Sequence, residues 1–200
     1  VFDSDSTLVP MARALDNLGT PLSGITDDIY DTTRSATTPD MGAIEFTTGG
    51  TELSGTYTVG SGGDFATLDT LGQHLAQNGI SGAVTFNILS GTYTESIALG
   101  VVYGSSATNT ITFQSATANA DSVIWENTGS SSNTNYALQL SGTDHVQVKH
   151  ITFKGDSSSY SRKIVLGGAV DSVTIDSSKF LGYQGTTTNH ISIYGTDVVT

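Results

Sequence analysis

The chain has 200 residues, seven Lys and Arg against nineteen Asp and Glu, and a formal net charge of −12. Only 13% of the residues are charged, and 25 Ser, 31 Thr and 23 Gly replace them. That composition argues against a helical bundle and against nucleic-acid binding, which needs a basic face. No apolar run is long enough to span a membrane, no signal peptide is visible, and the absence of Cys excludes disulfides and thiolate sites.

Residues 1–50 differ from the rest of the chain. They contain all three prolines, both methionines and eight of the nineteen acids, and they show little periodicity. We expect a turn-rich wrap or linker that ends near Gly49-Gly50. Asp27, Asp28 and Asp31 are the candidate Ca²⁺ ligands, because Ca²⁺ takes loop carboxylates. Their spacing does not fit an EF-hand loop, so solvated turn carboxylates are the favoured alternative, and no other metal or cofactor is predicted.

A helix is predicted over residues 65–77. Phe65, Leu68, Leu71 and Leu75 follow one another at spacings that place them on one face. Asp64 is the predicted N-cap, and the Asn78-Gly79 pair that follows the helix is a stop signal. Because this helix is short and apolar on one side only, it must cover other apolar residues.

From residue 83 onward the sequence predicts short strands separated by Gly, Asn, Asp or Ser. Each run has alternating or continuous Val, Ile, Leu and Phe, which is typical of strands. The runs lie at residues 84–88, 97–99, 111–113, 123–125, 138–140, 146–148, 151–153, 164–166, 173–175 and 191–193.

An internal repeat unites these strands. The segment from Leu140 to Val146 matches the one from Ile193 to Val199, and the segment from Leu166 to Val173 lies between them. Two sets of residues recur at nearly constant intervals: Val123, Val146, Val173 and Val199, and Gly142, Gly168 and Gly195. A second register aligns residues 151–155 with 178–182. Such a period with about three strands predicts an all-β solenoid, a parallel β-helix with coils of about 23–27 residues and one N-terminal capping helix.

Two stretches resemble pectinesterases, which are right-handed parallel β-helix proteins of the pectin lyase-like class. Thr58-Val-Gly-Ser-Gly-Gly-Asp-Phe-Ala-Thr-Leu68 resembles the turn that leads into their capping helix, and residues 84–95 resemble their first coil. The resemblance implies a right-handed parallel β-helix. It covers about 140 residues in pattern and about 30 in motif.

The first segment resembles the ending that closes β-helix units in large secreted bacterial surface proteins. The matching residues are 16–21, 28–34 and Pro39-Asp-Met-Gly-Ala-Ile-Glu-Phe46. The resemblance implies two parts. Residues 1–50 would close a preceding unit or link to it, and residues 51–200 would hold the capping helix and first coils of the next. Since Thr200 falls within a predicted strand, we expect a fragment of a longer chain.

Catalysis can be checked against the pectinesterase pattern residue by residue. Gln184 in Gly182-Tyr183-Gln184-Gly185 matches an oxyanion-stabilising Gln, but Gly185 stands where the resemblance implies the general acid. Arg162 stands where a second Gln is implied. Glycine transfers no proton, so we expect no enzyme. A lyase would use the Arg162-Lys163 pair next to a cluster of acids. The acids that align from one repeat to the next, Asp144, Asp171 and Asp197, are better explained as turn-capping residues.

The sequence therefore predicts a structural and adhesive module of a large, repetitive, secreted cell-surface or filament protein. The expected partners are tandem or neighbouring copies and polysaccharide, with no nucleic acid and no membrane span, and the expected location is extracellular. Tyr183, Gln184 and Arg162 are the candidate glycan contacts, because exposed aromatic rings stack on sugars. The alternative is that the tyrosine rings pack between coils and that Tyr183-Gln184 is only the turn of a coil. The alternative is a polysaccharide-active enzyme with catalytic residues after Thr200. An ice-binding solenoid ranks last because the Thr residues keep no strict coil register.

Overall fold

The structure, a computed structural model, describes residues 12–183 and 186–196. These residues form one α-helix and thirteen strands. The helix α1 spans Leu68–Asn78. The strands are β1 (Leu53–Val59), β2 (Ile80–Ile88), β3 (Gly91–Tyr93), β4 (Ile97–Leu99), β5 (Ile111–Ser115), β6 (Val123–Glu126), β7 (Leu138–Ser141), β8 (Val146–Lys149), β9 (Thr152–Gly155), β10 (Ile164–Gly167), β11 (Thr174–Asp176), β12 (Lys179–Gly182) and β13 (Ile193–Gly195).

The strands form three sheets in which every pair is parallel. Their orders are β1-β2-β5-β8-β11, β3-β6-β9-β12 and β4-β7-β10-β13. After β1 and α1, the chain visits the three sheets in turn and then returns to the first. Each circuit, which we call a row, therefore adds one strand to every sheet. This arrangement is mostly β with one helix, and it is compatible with a parallel β-helix. All ten predicted runs overlap strands, whereas β1, β3 and β12 lie outside those runs.

The repeat predicted from the sequence is confirmed between β9 and β12 and between β7 and β10. Phe153 pairs with Phe180 and Gly155 with Gly182, as the match between residues 151–155 and 178–182 predicts. The Gly142 amide donates to the Gly167 carbonyl, which keeps residues 138–141 opposite residues 164–167 as predicted.

Two other predicted alignments are wrong. Val123 lies in β6 and pairs with Gly91 in a different sheet from Val146. Leu166 lies opposite Gly195 rather than Ile193, so the last step of that sheet is longer than the sequence match indicates. Val199 and Asp197 lie outside the described residues. Short motifs of Gly, Thr and Asp recur at turns of several kinds, which explains why they misalign strands.

The predicted coil length is too short for the first rows. Ile97 pairs with Leu138, and Ile111 pairs with Val146, so each of these rows takes up more chain than the sequence repeat allows. The additional length lies in two loops, residues 100–110 and 127–137, which carry no strand. Lengthening such loops costs little closure entropy, so the strand pairing survives them.

A column of aromatic rings runs through the core along the stacking direction. Phe86 contacts Phe113, Trp125 stacks on Phe153, and Phe153 stacks on Phe180, with ring centroids 5.5, 5.5 and 5.6 Å apart. Phe86, Phe113, Trp125 and Phe153 are fully buried. The Trp125 indole N–H donates to the Glu95 carbonyl at 2.8 Å, so burial leaves no donor unpaired on this ring.

The helix begins later than predicted. It starts after Thr67, whose hydroxyl accepts from the Thr70 amide while the Thr70 hydroxyl accepts from the Thr67 amide, a reciprocal capping box. Asp64 instead accepts from the Thr58 amide and hydroxyl, so it closes the turn after β1. The leucines of the predicted apolar face are buried, and α1 packs against β1 and β4. Gly79 ends the helix as predicted, with φ of +69°.

Candidate functional site

The structure brings two of the predicted contact residues to one short turn, Thr188–His190, between β12 and β13. The Tyr183 ring packs edge-on against the His190 ring, with centroids 4.8 Å apart, and 42% of Tyr183 is exposed. Arg162 Nε donates to the Thr188 carbonyl at 2.7 Å. We define Arg162, Tyr183, His190 and Tyr194 as the aromatic–arginine surface. Gln184 and Gly185 lie outside the described residues.

Arg162 is held in one orientation on this surface. Its guanidinium carbon lies 3.6 Å from the centroid of the Tyr194 ring, a cation–π contact. Its backbone amide donates to the Asn135 side chain at 2.9 Å. No carboxylate of the described residues lies within salt-bridge distance of the Arg162 guanidinium, whereas Arg13, Arg34, Lys154 and Lys179 each pair with one.

His190 fixes the turn beneath the Tyr183 ring. Its Nε2 donates to the Ser158 carbonyl at 2.8 Å, which leaves Nδ1 to accept from the Thr187 hydroxyl at 3.2 Å. The residues 157–161 loop and the Thr188–His190 turn are thereby tied together, and the Ser161 amide also donates to the Asn189 carbonyl at 2.8 Å. The two loops form one continuous surface.

A buried asparagine supports the surface from below. Asn135 is fully buried, and its Oδ1 accepts from Asn127 Nδ2 and from the Arg162 amide, each at 2.9 Å. Its Nδ2 donates to the Asn189 carbonyl at 3.0 Å. One side chain therefore joins three successive rows of the fold. Nothing in the sequence alone distinguishes Asn135 from the other loop asparagines.

Lys163, the neighbour of Arg162, points into the protein. It is 1% exposed, and its Nζ donates to the Ser161 hydroxyl at 3.3 Å. Burial lowers the pKa of Lys163, and the charge of Asp156 opposes part of that effect. Of the Arg162-Lys163 pair, only Arg162 therefore reaches solvent.

The predicted turn-capping role of aspartate is confirmed for Asp144. Its Oδ1 accepts from the Asp171 amide of the next row at 2.7 Å. Asp171 thus supplies a backbone donor to the aligned Asp144 side chain. The third member of the alignment, Asp197, lies outside the described residues.

Residues 12–48 form a loop whose buried carboxylates accept hydrogen bonds from backbone amides. Asp28 Oδ1 accepts from the Tyr30 and Thr32 amides at 2.7 and 2.9 Å, and its Oδ2 accepts from the Glu45 amide at 2.9 Å. Burial alone would raise the pKa of Asp28, but these backbone hydrogen bonds outweigh it and lower the pKa. Asp40 likewise accepts from backbone amides elsewhere in the loop.

The predicted Ca²⁺ ligands do not converge. Both oxygens of Asp28 face backbone donors, while Asp27 and Asp31 are exposed. Across residues 12–183 and 186–196, no three or more His, Asp or Glu side chains are grouped so that they could share a metal ion. Ca²⁺ binding stays a prediction.

The same loop exposes large apolar side chains around an open cavity of about 620 Å³. Leu22 and Ile29 are 69% and 63% exposed. The apolar face, as we name it, comprises Leu18, Leu22, Ile25, Ile29, Tyr30 and Met41. The loop therefore buries the Asp28 and Asp40 carboxylates and exposes six large apolar side chains.

Neither a scan against protein-family models nor searches of curated proteins and solved structures found a match to this chain. In the part of the chain that the structure describes, no helix has the length and apolar character needed to cross a bilayer.

Proposed function

We propose that this chain is a structural and adhesive module of a large, repetitive, secreted cell-surface or filament protein, folded as a right-handed parallel β-helix. The observation that carries the proposal is the order of the strands. Over four rows the chain returns to each of three parallel sheets, adding a strand each time. A stack of this kind grows along one axis and gives a stiff body with long lateral faces.

Glycan contact is proposed for the aromatic–arginine surface. The half-exposed Tyr183 ring offers a flat apolar face to a sugar ring, and the Arg162 guanidinium, held on Tyr194, offers donors at its edge. Its orientation is fixed before any ligand arrives, so little side-chain entropy would be lost on binding. Single contacts of this size are weak, and many modules in one protein would bind by avidity.

Association with tandem or neighbouring units is proposed for the apolar face of residues 12–48. Its six large side chains have no partner among the described residues that buries them. Hydrogen bonds within the loop hold these side chains in place, because Asp28 and Asp40 satisfy backbone amides that a flexible loop would give to water. A neighbouring unit that covered this face would remove the apolar surface from water.

Electron microscopy of the native full-length protein tests the structural role. We expect long, uniform rods or fibres with a repeating unit. Discrete compact particles would contradict the proposal and would direct attention to the enzyme alternative, which de-esterification and lyase assays on a panel of polysaccharides would then test.

Glycan contact has its own test on this chain. Binding of the purified protein to a polysaccharide panel is measured for Tyr183→Ala and for Arg162→Ala. The matched control is Tyr103→Ala, which changes a tyrosine between β4 and β5 that is not part of the aromatic–arginine surface. Loss of binding in the first two variants alone supports the assignment, whereas equal binding in all three contradicts it.

A further inference from the structure

The boundary between α1 and β2 carries an unusual asparagine. Asn78 is the last residue of α1 and is 3% exposed. Its Nδ2 donates to the His74 carbonyl at 3.4 Å, but its Oδ1 is the one buried side-chain polar atom of the described residues that has no partner. The carboxamide lies against Gly50, where an added Cβ would come within 2.7 Å of it. A buried acceptor without a donor costs stability.

The residue that follows makes this asparagine chemically vulnerable. Asn78-Gly79 is the sole Asn-Gly pair in the sequence. Without a side chain on the following residue, the backbone nitrogen can reach the asparagine carboxamide carbon most easily. Gly79 is also required by the fold, because its φ is +69° and an added Cβ would collide with the Tyr103 carbonyl oxygen.

We propose that Asn78-Gly79 is a deamidation site and that its deamidation irreversibly detaches α1 from β1 and β4. After loss of its proton to water or hydroxide, the Gly79 nitrogen attacks Asn78 Cγ, the Cγ–Nδ2 bond breaks, and ammonia leaves. Water then opens the resulting succinimide ring to aspartate or isoaspartate. The net change is asparagine plus water giving the acid plus ammonia, and no oxidant or cofactor takes part.

The closed fold blocks the first step. The Gly79 amide donates to the Leu75 carbonyl at 3.1 Å, and the amide of the next residue, Ile80, donates to the Tyr103 carbonyl at 2.8 Å. These two bonds hold the attacking nitrogen in the helix end, and burial keeps water from Cγ. The reaction therefore proceeds only when the last turn of α1 opens, so its rate follows the population of that open state.

After deamidation, α1 cannot pack against β1 and β4 as it did before. An aspartate at residue 78 replaces the Nδ2 donor with a second acceptor, which faces the His74 carbonyl. It also places a negative charge at the negative end of the helix dipole, in a site where Oδ1 already lacks a donor. Because α1 covers β1 and β4, detachment of the helix exposes the apolar core at that end of the stack.

The first experiment measures deamidation of the 200-residue chain by peptide mapping and mass spectrometry at mildly alkaline pH. We expect the folded chain to react at Asn78 about a hundredfold more slowly than the urea-unfolded chain. Thr67→Ala, which removes the N-cap of α1, should raise the folded rate several-fold. Thr92→Ala, the same change at an exposed position of β3, should leave it unchanged. Equal rates in folded and unfolded chains, or no reaction in either, would overturn the proposal.

The second experiment tests the consequence without waiting for the reaction. Asn78→Asp should abolish hydrogen-exchange protection of the α1 amides. Asn119→Asp introduces the same charge at an exposed turn and should leave α1 protected. Full α1 protection in Asn78→Asp would overturn the irreversible step, and equal loss in both variants would overturn it too, because the effect would then come from charge alone.

Discussion

At the scale of single residues, buried polar side chains decide the local architecture. Asn135 joins three rows through one carboxamide, and Asp28 gathers three backbone amides of the first loop. Neither role is visible in the sequence, because burial of a polar residue depends on loops that meet only after folding. By contrast, the turn-capping role of Asp144 was predictable from its repetition.

Replacing Asn135 tests its role as the link between rows. Asn135→Ala leaves the Arg162 amide without its acceptor and removes one of the two donors to the Asn189 carbonyl. A buried unpaired group costs about 1–3 kcal/mol. We expect the free energy of unfolding to fall by about 2 kcal/mol or more in urea titrations. Asn119→Ala removes an exposed turn asparagine and should cost less. Equal losses would contradict the assigned role.

The hydrogen bonds of Asp28 predict an acid-sensitive loop. Since they lower its pKa in the folded chain below the ordinary value of 3.8, their stabilisation is complete above that value. It is lost as the pH falls through the lower, folded pKa. NMR spectra should show the Tyr30, Thr32 and Glu45 amides shifting together as the pH falls below about 4. In Asp28→Asn this transition should be absent; its persistence would assign it to another carboxylate.

At the scale of elements, the helix illustrates how local signals compete. Asp64 and Thr67 are both good N-cap residues by type, and the sequence alone favours the acid nearest to the apolar pattern. The structure uses Thr67 because Thr58 occupies the Asp64 carboxylate across the turn after β1. The apolar face and the Gly79 stop depend only on neighbours along the chain, so the sequence predicted them.

A pair of variants separates the two capping assignments. Thr67→Ala should lower the stability of α1 by about 1 kcal/mol, measured as faster hydrogen exchange of its amides. Asp64→Ala should mainly free the Thr58 amide and leave α1 exchange nearly unchanged. The opposite ranking would mean that Asp64 caps the helix after all.

At the scale of the whole molecule, alternation and repetition predicted a stack of short parallel strands. The row lengths were not predictable from one repeat, because the loops 100–110 and 127–137 lengthen the early rows without altering the apolar pattern. Of the aromatic–arginine surface, Arg162 and Tyr183 were predicted as glycan contacts from the sequence, whereas His190 was not. Their proximity arises from pairing of β10 with β13, a step whose register the sequence misassigned.

The aromatic column predicts how stability is distributed along the stack. Phe153 is fully buried between Trp125 and Phe180, so Phe153→Ala should cost about 3–5 kcal/mol in thermal or urea unfolding. Phe180 is only partly buried in the last described row, so Phe180→Ala should cost clearly less. A larger loss for Phe180 would contradict the burial that the structure assigns to this column.

The most direct test of the central claim, that successive rows stack in parallel and in register, is disulfide trapping. The chain contains no Cys, so each introduced pair reports on itself alone. Gln147 and Thr174 pair across β8 and β11, and Lys154 and Leu181 pair across β9 and β12. In-register neighbours lie about 5 Å apart, within disulfide range, so both double-cysteine variants should oxidise readily. The control, cysteines at Gln147 and Asp176, is displaced along the strand and should stay reduced. Efficient cross-linking of the control, or none in the paired variants, would contradict the stacked parallel fold.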